Sequence, residues 1–412
     1  MFKVRCLQVL LINRNFSLLW FGQLVSQLGD KAYNIALMWW LFEKTGSPLF
    51  VSSFLITSML PELILSPVAG VYIDRWNKKK ILVAADFGRG IIILTLAALH
   101  QADLLTTWHI YIAALFISLC SALFNPTTMS VIPVVVEKSR LQQANALSQM
   151  VAGAVAIIGP LLGASSVAML GYMGVLIFNG CSYIISGIAE SFLRITVTEN
   201  TTKEPVFFSL MQGVRYIQGD VRVSTAVILV AIIHVFVGGL VVSLPFLANL
   251  LKGNGLENLG LLQAAFGGGM IVGAVYISKY SSDKLKRSYL FYAIVCMGTG
   301  ILMLGVLQLS YIHSVVLYGL DCVLIGVCVA GISVFWRTLA QLCVPEEMTG
   351  RVFSVLSATG NISLPISMGL AGLLLNFVTP VLLLSLAGIF LILIGIGIEY
   401  YNRSIFDDIS IT

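Results

Sequence analysis

The sequence predicts an all-α integral membrane protein with twelve transmembrane helices. Of its 412 residues, 58% are hydrophobic and only 10% are charged, and the mean hydropathy is +0.95. Twelve segments have the roughly 20 mostly apolar residues that a helix needs to cross a hydrocarbon core of about 30 Å. Segments of this length favour helices over barrel strands of about ten residues, because backbone amides in lipid must be satisfied within the segment itself.

The predicted helices follow one another with short polar connections, apart from one longer interruption at the middle of the chain. Glycine and proline inside them are typical of membrane helices. They form two pseudo-symmetric six-helix bundles, 1–194 and 222–412, joined by a cytoplasmic linker at 195–221. In chain order the predicted spans are 16–41, 50–73, 81–99, 110–133, 148–170, 174–194, 222–250, 259–279, 289–309, 313–336, 353–376 and 379–400.

The distribution of lysine and arginine predicts the orientation. Loops on one side of the membrane hold all of these residues except four: Lys44 and Lys252 lie in the opposite loops, and Lys31 and Arg89 lie within helices. Because cytoplasmic loops are enriched in basic residues, both termini are expected to be cytoplasmic. The net charge of +5 then reflects topology and contact with anionic lipid. We therefore expect membrane lipids as partners and no nucleic acid.

The linker and the two halves carry further patterns. Residues 207–217 have helical periodicity with apolar and basic side chains, which predicts an amphipathic helix at the membrane surface, the alternative being a simple connector.

The two halves of the chain show a weak internal repeat. Gly159-Pro160 has a rough counterpart at Leu364-Pro365, about half the chain away. Paired halves with interrupted helices in matching places are typical of secondary transporters, whose substrate site lies near mid-membrane.

The loop after the second predicted helix contains a motif that reads Gly-Val-Tyr-Ile-Asp-Arg-Trp-Asn-Lys-Lys-Lys from Gly70 to Lys80. It resembles the Gly-x-x-x-Asp-Arg-x-Gly-Arg-Lys signature of the major facilitator superfamily. Asn77 stands at the second glycine, and asparagine also tolerates left-handed backbone angles. The resemblance implies the twelve-helix major facilitator fold and a latch that favours the outward-facing state, with Asp74 near a positive helix N terminus. The latch residues are Gly70, Asp74, Arg75, Lys78 and Lys79.

A second motif lies in the fifth predicted helix, where Gly159, Pro160 and Gly163 resemble the Gly-Pro-x-x-Gly core found in exporters of that superfamily. The alternative is a kinked and tightly packed membrane helix without a functional role. Further stretches, including 13–20, 143–147 and 344–353, are similar to a bacterial branch that includes macrolide efflux proteins and the enterobactin exporter. The resemblance implies export and a monomeric protein, and it adds Arg351 to the gate residues.

Ionisable residues inside the helices indicate where protons could bind, because burying such a group is unfavourable unless it is paired or faces water. Asp30, Glu62 and Asp321 are the candidates for proton coupling, and Asp30 and Glu62 lie at similar depth. A salt bridge of Asp30 with Lys31 or with another helix is the alternative, and Lys31 is disfavoured as the partner because adjacent residues on a helix point about 100° apart. Asp86 and Arg89 lie three residues apart on one helix face, which predicts an ion pair that steadies the gate.

Candidates for substrate contact are aromatic, methionine, amide and histidine side chains that would suit a bulky amphipathic molecule. Most such residues in membrane helices face lipid or packed neighbours, and a lone histidine is more often a packing residue. Two of them lie within about one helical turn of Asp30 and are favoured for that reason. The candidates are Tyr33 and Asn34, which are the two favoured residues, and Met38, Asn125, Gln149, His234, Trp336 and Asn361.

The sequence lacks a Walker loop, a dinucleotide fingerprint and the spacing of a metal site, and its loops are too short for a catalytic domain. We therefore expect no enzymatic activity and no cofactor. The leading hypothesis is a proton-coupled exporter of amphipathic small molecules, such as an antibiotic or a siderophore, working by alternating access. The fourth predicted helix has no arginine, unlike many drug/proton antiporters of this superfamily, which leaves the proton route open. A lipid or lysolipid flippase and a non-transporting receptor or scaffold are the alternatives.

Overall fold

The computed structural model describes residues 12–73, 76–137, 140–194, 206–280 and 287–401. Within these residues the chain forms twelve α-helices and no β-strand. The helices are α1 (Arg14–Thr45), α2 (Pro48–Ile73), α3 (Lys78–Gln101), α4 (Thr107–Val135), α5 (Leu141–Ser191), α6 (Val206–Gly219), α7 (Val221–Leu250), α8 (Gly255–Tyr280), α9 (Arg287–Leu309), α10 (Val315–Cys343), α11 (Glu346–Leu374) and α12 (Pro380–Tyr401).

Ten of these helices are long and apolar enough to cross a membrane. Helix α5 contains two of the predicted spans, so eleven of the twelve lie in such helices. The remaining span is α1, which is 32 residues long but carries Gln23, Gln27, Asp30, Lys31 and Asn34, and these polar residues lower its hydropathy. The predicted linker helix is present as α6, which is amphipathic and too short to span.

Helix α5 is two helical arms, 141–170 and 172–191, that meet at Gly171. This residue has φ 68° and ψ 176°, a backbone conformation that is not helical. At the same corner, Trp39 Nε1 donates to Glu43 Oε1 at 2.7 Å and Tyr172 Oη donates to Glu43 Oε2 at 2.5 Å. The break between the two arms confirms the predicted break between spans 148–170 and 174–194.

Substituting Gly171→Ala should lower the free energy of unfolding by about 1–3 kcal/mol, because this φ/ψ region is essentially restricted to glycine. Thermal unfolding of the detergent-solubilised protein measures the effect. Gly319→Ala is the matched control, since Gly319 lies within α10, its added Cβ would meet nothing within 4 Å, and alanine favours helix. Equal melting temperatures for Gly171→Ala and the wild type would contradict the backbone argument.

The described residues divide into two compact units. The first takes those of Met1–Lys44 and Thr57–Thr202, and the second those of Thr45–Ile56 and Lys203–Thr412. In the first unit, α3 packs against the second arm of α5. Helix α1 approaches the first arm closely, since a Cβ built at Gly163 would lie 3.0 Å from Ala32 Cα. Small residues at such crossings allow close approach of membrane helices.

The second unit repeats this pairing pattern. Helix α7 packs against α11, α8 against α10, and α9 against α12. Counted within each six-helix half, the first helix pairs with the fifth, the second with the fourth, and the third with the sixth. In the first unit the second-with-fourth pairing is the contact of α2 with α4, where the backbone N–H of Glu62 donates to Ser118 Oγ at 3.0 Å. The repeated pairing confirms two pseudo-symmetric six-helix bundles.

The linker helix α6 belongs to the second unit and packs on two of its other helices. Tyr216 Oη donates to the carbonyl oxygen of Cys343 at 3.0 Å, and Gly213 lies against the backbone of Arg351. Met211 and Arg215 are exposed. Helix α6 is therefore held by α10 and α11 on one face and leaves apolar and basic side chains on the other.

The loop of the first motif is described only in part. Asp74 and Arg75 lie outside the described residues, Gly70 lies in α2, and Lys78 and Lys79 begin α3. Asn77 has φ −68° and ψ 106°, and its side chain accepts a hydrogen bond from the backbone N–H of Lys80 at 3.2 Å. Asn77 therefore does not use the left-handed backbone angles that asparagine tolerates. Asparagine serves here as the N-cap of α3, a position for which its side chain is well suited.

Candidate substrate and proton site

The first unit contains a cavity of about 350 Å³ lined mainly by polar side chains. Helix α1 supplies the largest share, and α2, α3, α4 and the second arm of α5 complete the wall. Five of the proton and substrate candidates predicted from the sequence line it, namely Asp30, Glu62, Tyr33, Asn34 and Asn125. The other lining residues are Gln23, Ser26, Gln27, Ser58, Arg89, Ala114, Ile117, Ser121, Phe124 and Tyr183.

Helix α1 positions its polar residues by their spacing. Gln23, Gln27, Asp30 and Asn34 recur every three or four residues, which places them on one face of the helix. A Cβ built at Gly29 would overlap Asn179 Oδ1 and lie 2.8 Å from Ser182 Oγ. The face of α1 that carries the small residue Gly29 therefore packs on the second arm of α5, and the polar face of α1 lines the cavity.

Asp30 is held by the second arm of α5. Tyr183 Oη donates a short hydrogen bond to Asp30 Oδ1, and Asn179 Nδ2 donates to the same oxygen at 3.4 Å. The stem of Lys31 lies instead against Gly159 of the first arm. The structure therefore favours the cavity position of Asp30 over the alternative of a salt bridge with its neighbour Lys31.

Glu62 is held by α4. Asn125 Nδ2 donates to Glu62 Oε1 at 2.5 Å. Both residues were predicted separately from the sequence, as a proton carrier and a substrate contact, and the structure places them in direct contact. The amide of Asn125 therefore supports one oxygen of a carboxyl group that lines the cavity.

Arg89 forms the predicted ion pair with Asp86, with Nη2 donating to Asp86 Oδ1. Its guanidinium also contacts two aromatic rings, with Cζ 4.1 Å from the ring centroid of Phe124 and 4.5 Å from that of Tyr183. Such cation–π contacts stabilise a desolvated guanidinium. Asp86 is fully buried and Arg89 is 4% exposed. Arg89, which the sequence placed in the gate, thus lies in the cavity wall.

The charges of the cavity do not balance. Among the described residues that line it, Arg89 is the one cation, whereas Asp30 and Glu62 are two carboxyl groups. The nearest counter-charge of Arg89 is Asp86, which lies behind the wall. A carboxylate without a cation beside it is unfavourable within a membrane, which makes Asp30 and Glu62 the candidates in this cavity for binding a proton or a cation.

Other candidate residues lie elsewhere. Met38 is buried in α1 and does not line the cavity, and the side chain of Gln149 lies outside the described residues. Asp321 packs against Gly300, where a Cβ would lie 3.0 Å from Asp321 Oδ1. His234 Nδ1 lies 2.7 Å from the carbonyl oxygen of Val230 in its own helix, as expected of a packing residue. The candidates in the second unit are Asp321, His234, Trp336, Asn361 and Arg351.

The second motif packs beside the cavity. A Cβ built at Gly159 would lie 2.6 Å from Lys31 Cβ, and Gly163 lies against Ala32. Pro160 is buried between them in the first arm of α5. The motif therefore brings α5 close to the helix that supplies most of the cavity wall.

Sequence reasoning missed the role of the second arm of α5. Asn179 and Tyr183 bind Asp30, yet neither was predicted as a site residue. The signal was a stripe of polar residues at helical spacing in an otherwise apolar segment, formed by Asn179, Tyr183, Ser186 and Glu190. Such a stripe indicates a face that packs on other polar groups and not on lipid.

Comparisons with known proteins agree with this architecture. A sequence profile of the Major Facilitator Superfamily matches residues 19–368. Macrolide efflux protein A of Streptococcus pyogenes is 24% identical over 363 residues, which cover 87% of this chain and 88% of that protein. Multidrug efflux pump Tap of Mycolicibacterium fortuitum is 21% identical over 397 residues, which cover 91% and 95%. A bacterial homologue of the iron transporter ferroportin, solved in an inward-facing state, shares the fold with a TM-score of 0.67 and 18% identity, covering 93% of this chain and 98% of that chain.

Proposed function

The chain belongs to the major facilitator superfamily, as a multi-pass transporter of the bacterial cell membrane, and we propose that it exports amphipathic small molecules in exchange for protons. The observation that carries the proposal is the pair of carboxyl groups, Asp30 and Glu62, in a cavity whose one lining cation among the described residues is already paired with Asp86.

Competition at Asp30 would couple the two fluxes. The carboxylate of Asp30 can be neutralised either by a proton or by a cationic group of the substrate. Because it carries one negative charge, it does not bind a proton and a cation tightly at the same time. A proton that arrives therefore displaces the substrate, and a substrate that binds displaces the proton. Exchange of this kind needs no nucleotide, because the proton gradient supplies the free energy.

The lining indicates which compounds would bind. Two carboxyl groups favour a basic amine, the amides of Gln23, Gln27 and Asn34 offer donors and acceptors, and the ring of Phe124 offers an apolar surface. A volume of about 350 Å³ is at the small end of ligand pockets. The proposed substrates are therefore amphipathic molecules that place an amine in this cavity. The two relatives named for macrolide and multidrug efflux support the direction of transport.

Efflux from cells that overexpress the protein tests the proposal. The panel contains erythromycin and ethidium, which are cationic and amphipathic, and enterobactin, which is a siderophore without a cationic group. We expect at least one cationic compound to accumulate less than in cells with empty vector, and we expect an uncoupler to abolish the difference, because the proton gradient drives export.

The panel also separates the rival outcomes. If enterobactin alone is exported, the protein is an exporter, but the proposal that its cavity binds amines is refuted. Export that survives the uncoupler would refute proton coupling. If no compound moves, the exporter proposal fails and outward movement of a fluorescent lysolipid becomes the next assay.

A further inference from the structure

A buried polar stripe runs along the second arm of α5, behind the cavity. Asn179, Tyr183, Ser186 and Glu190 follow one another at intervals of four, three and four residues, which places them on one helix face. Each of the four is at most 1% exposed. Glu190 lies seven residues beyond Tyr183, about 10 Å further along the helix axis. The stripe therefore leads from the wall of the cavity to a carboxyl group that the cavity does not contain.

Glu190 faces the ion pair on α3. A Cβ built at Gly187, one turn before Glu190, would lie 3.4 Å from Asp86 Cβ. The charged groups that act on Glu190 are Asp86 and Arg89. Both carboxyl oxygens of Glu190 are buried and have no hydrogen-bond partner among the described residues.

One guanidinium thus faces two buried carboxyl groups. Arg89 donates to Asp86 Oδ1, and this bond satisfies one negative charge. If Glu190 were ionised as well, the site would contain an uncompensated buried charge, which is strongly unfavourable. Because Asp86 has the donor and Glu190 has none, Glu190 carries a proton in this arrangement.

We infer that Glu190 is a second proton-binding site, coupled through Arg89 to Asp30 at the cavity wall. The contacts form a continuous series, since Arg89 lies on the ring of Tyr183 and the hydroxyl of Tyr183 donates to Asp30. When Asp30 is neutralised, it no longer competes for the positive field of Arg89. Arg89 then stabilises Glu190 as a carboxylate, and Glu190 releases its proton to water.

The inference rests on the proposed function, because the coupling serves transport only if protons drive export. A proton taken up at Asp30 would be accompanied by one lost at Glu190, near the end of α5 at Ser191. That end is the one for which the sequence predicts a cytoplasmic location. The pair would therefore move charge in the direction that an inward proton gradient requires, without a continuous water channel.

Infrared difference spectroscopy of the purified, substrate-free protein tests the inference, so its result does not depend on whether any compound is exported. We expect a C=O band of a protonated carboxyl without hydrogen bonds at about pH 7, and ¹³C-labelled glutamate should shift it. Glu190→Gln should remove the band, and Glu257→Gln, an exposed carboxyl on α8, should leave it. Asp86→Asn should lower the band at least about twofold, because Arg89 then pairs with Glu190. Asp30→Asn should also lower the intensity of this band, because a neutral residue 30 no longer competes for Arg89.

Each result decides the inference. Absence of a glutamate band in the wild type, or its survival in Glu190→Gln, would show that Glu190 is not a proton site. A band that neither Asp86→Asn nor Asp30→Asn changes would identify a static buried acid and would refute the coupling. If Glu190→Gln does not fold, the labelled band in Asp86→Asn still reports whether the proton responds to Arg89.

Discussion

Asp30→Asn is expected to reduce proton-driven export to background while leaving energy-independent exchange of substrate intact. The amide keeps an oxygen that can accept from Tyr183 and Asn179, so the contact between α1 and α5 survives. It cannot take up or release a proton, however, and the competition that couples the two fluxes disappears. Proteoliposomes with an imposed pH gradient measure the first activity, and counterflow of labelled substrate without a gradient measures the second.

The matched control is Asp103→Asn. Asp103 is exposed in the turn after α3, and its φ of 54° suits asparagine as well as aspartate. This variant makes the same chemical change outside the cavity, and both activities should equal those of the wild type. Export by Asp30→Asn that still follows the pH gradient would show that another group carries the proton, and Glu62 would be the next to test.

The sequence predicted the helices of this chain well because the bilayer sets their length. A break between the spans 148–170 and 174–194 was also predicted, and the structure places it at Gly171. The Asp86–Arg89 ion pair was predictable for a similar reason, because residues three apart in a helix are neighbours wherever the helix lies. These successes all concern local geometry.

Contacts between helices were much harder to predict. Asp30 and Glu62 were identified as isolated acids, but their partners Tyr183 and Asn125 lie 153 and 63 residues away. In a membrane, the face that packs and the face that meets lipid are both apolar, so hydropathy does not define the rotation of a helix. That ambiguity explains why Arg89 was assigned to the gate although it lines the cavity, and why Met38 was assigned to the cavity although it does not.

The polar stripe on α5 shows what additional signal was available. Polar residues in a membrane helix rarely face lipid, so their spacing reports which face packs on protein. The spacing of Asn179, Tyr183 and Glu190 predicts that all three lie on one face of the helix. The identity of the groups opposite them, Asp30 and Asp86, still required the tertiary structure.

Arg89→Met should destabilise the protein by about 3–5 kcal/mol, because it leaves the fully buried Asp86 without its counter-charge. Methionine fills a similar volume and can lie on the rings of Phe124 and Tyr183, so the loss is mainly electrostatic. The effect should be larger at about pH 8 than at about pH 6, because Asp86 can escape the penalty by taking up a proton. Thermal unfolding at the two pH values measures both effects.

A double substitution isolates the charge from the packing. Asp86→Asn together with Arg89→Met removes both members of the ion pair, so most of the stability lost in Arg89→Met should return, and the dependence on pH should disappear. Export should not return, because the double variant lacks the guanidinium that connects Asp30 with Glu190. A double variant as unstable as Arg89→Met would attribute the loss to the aromatic contacts of Arg89. Recovery of stability together with export would show that the ion pair holds α3 in place and takes no part in moving protons.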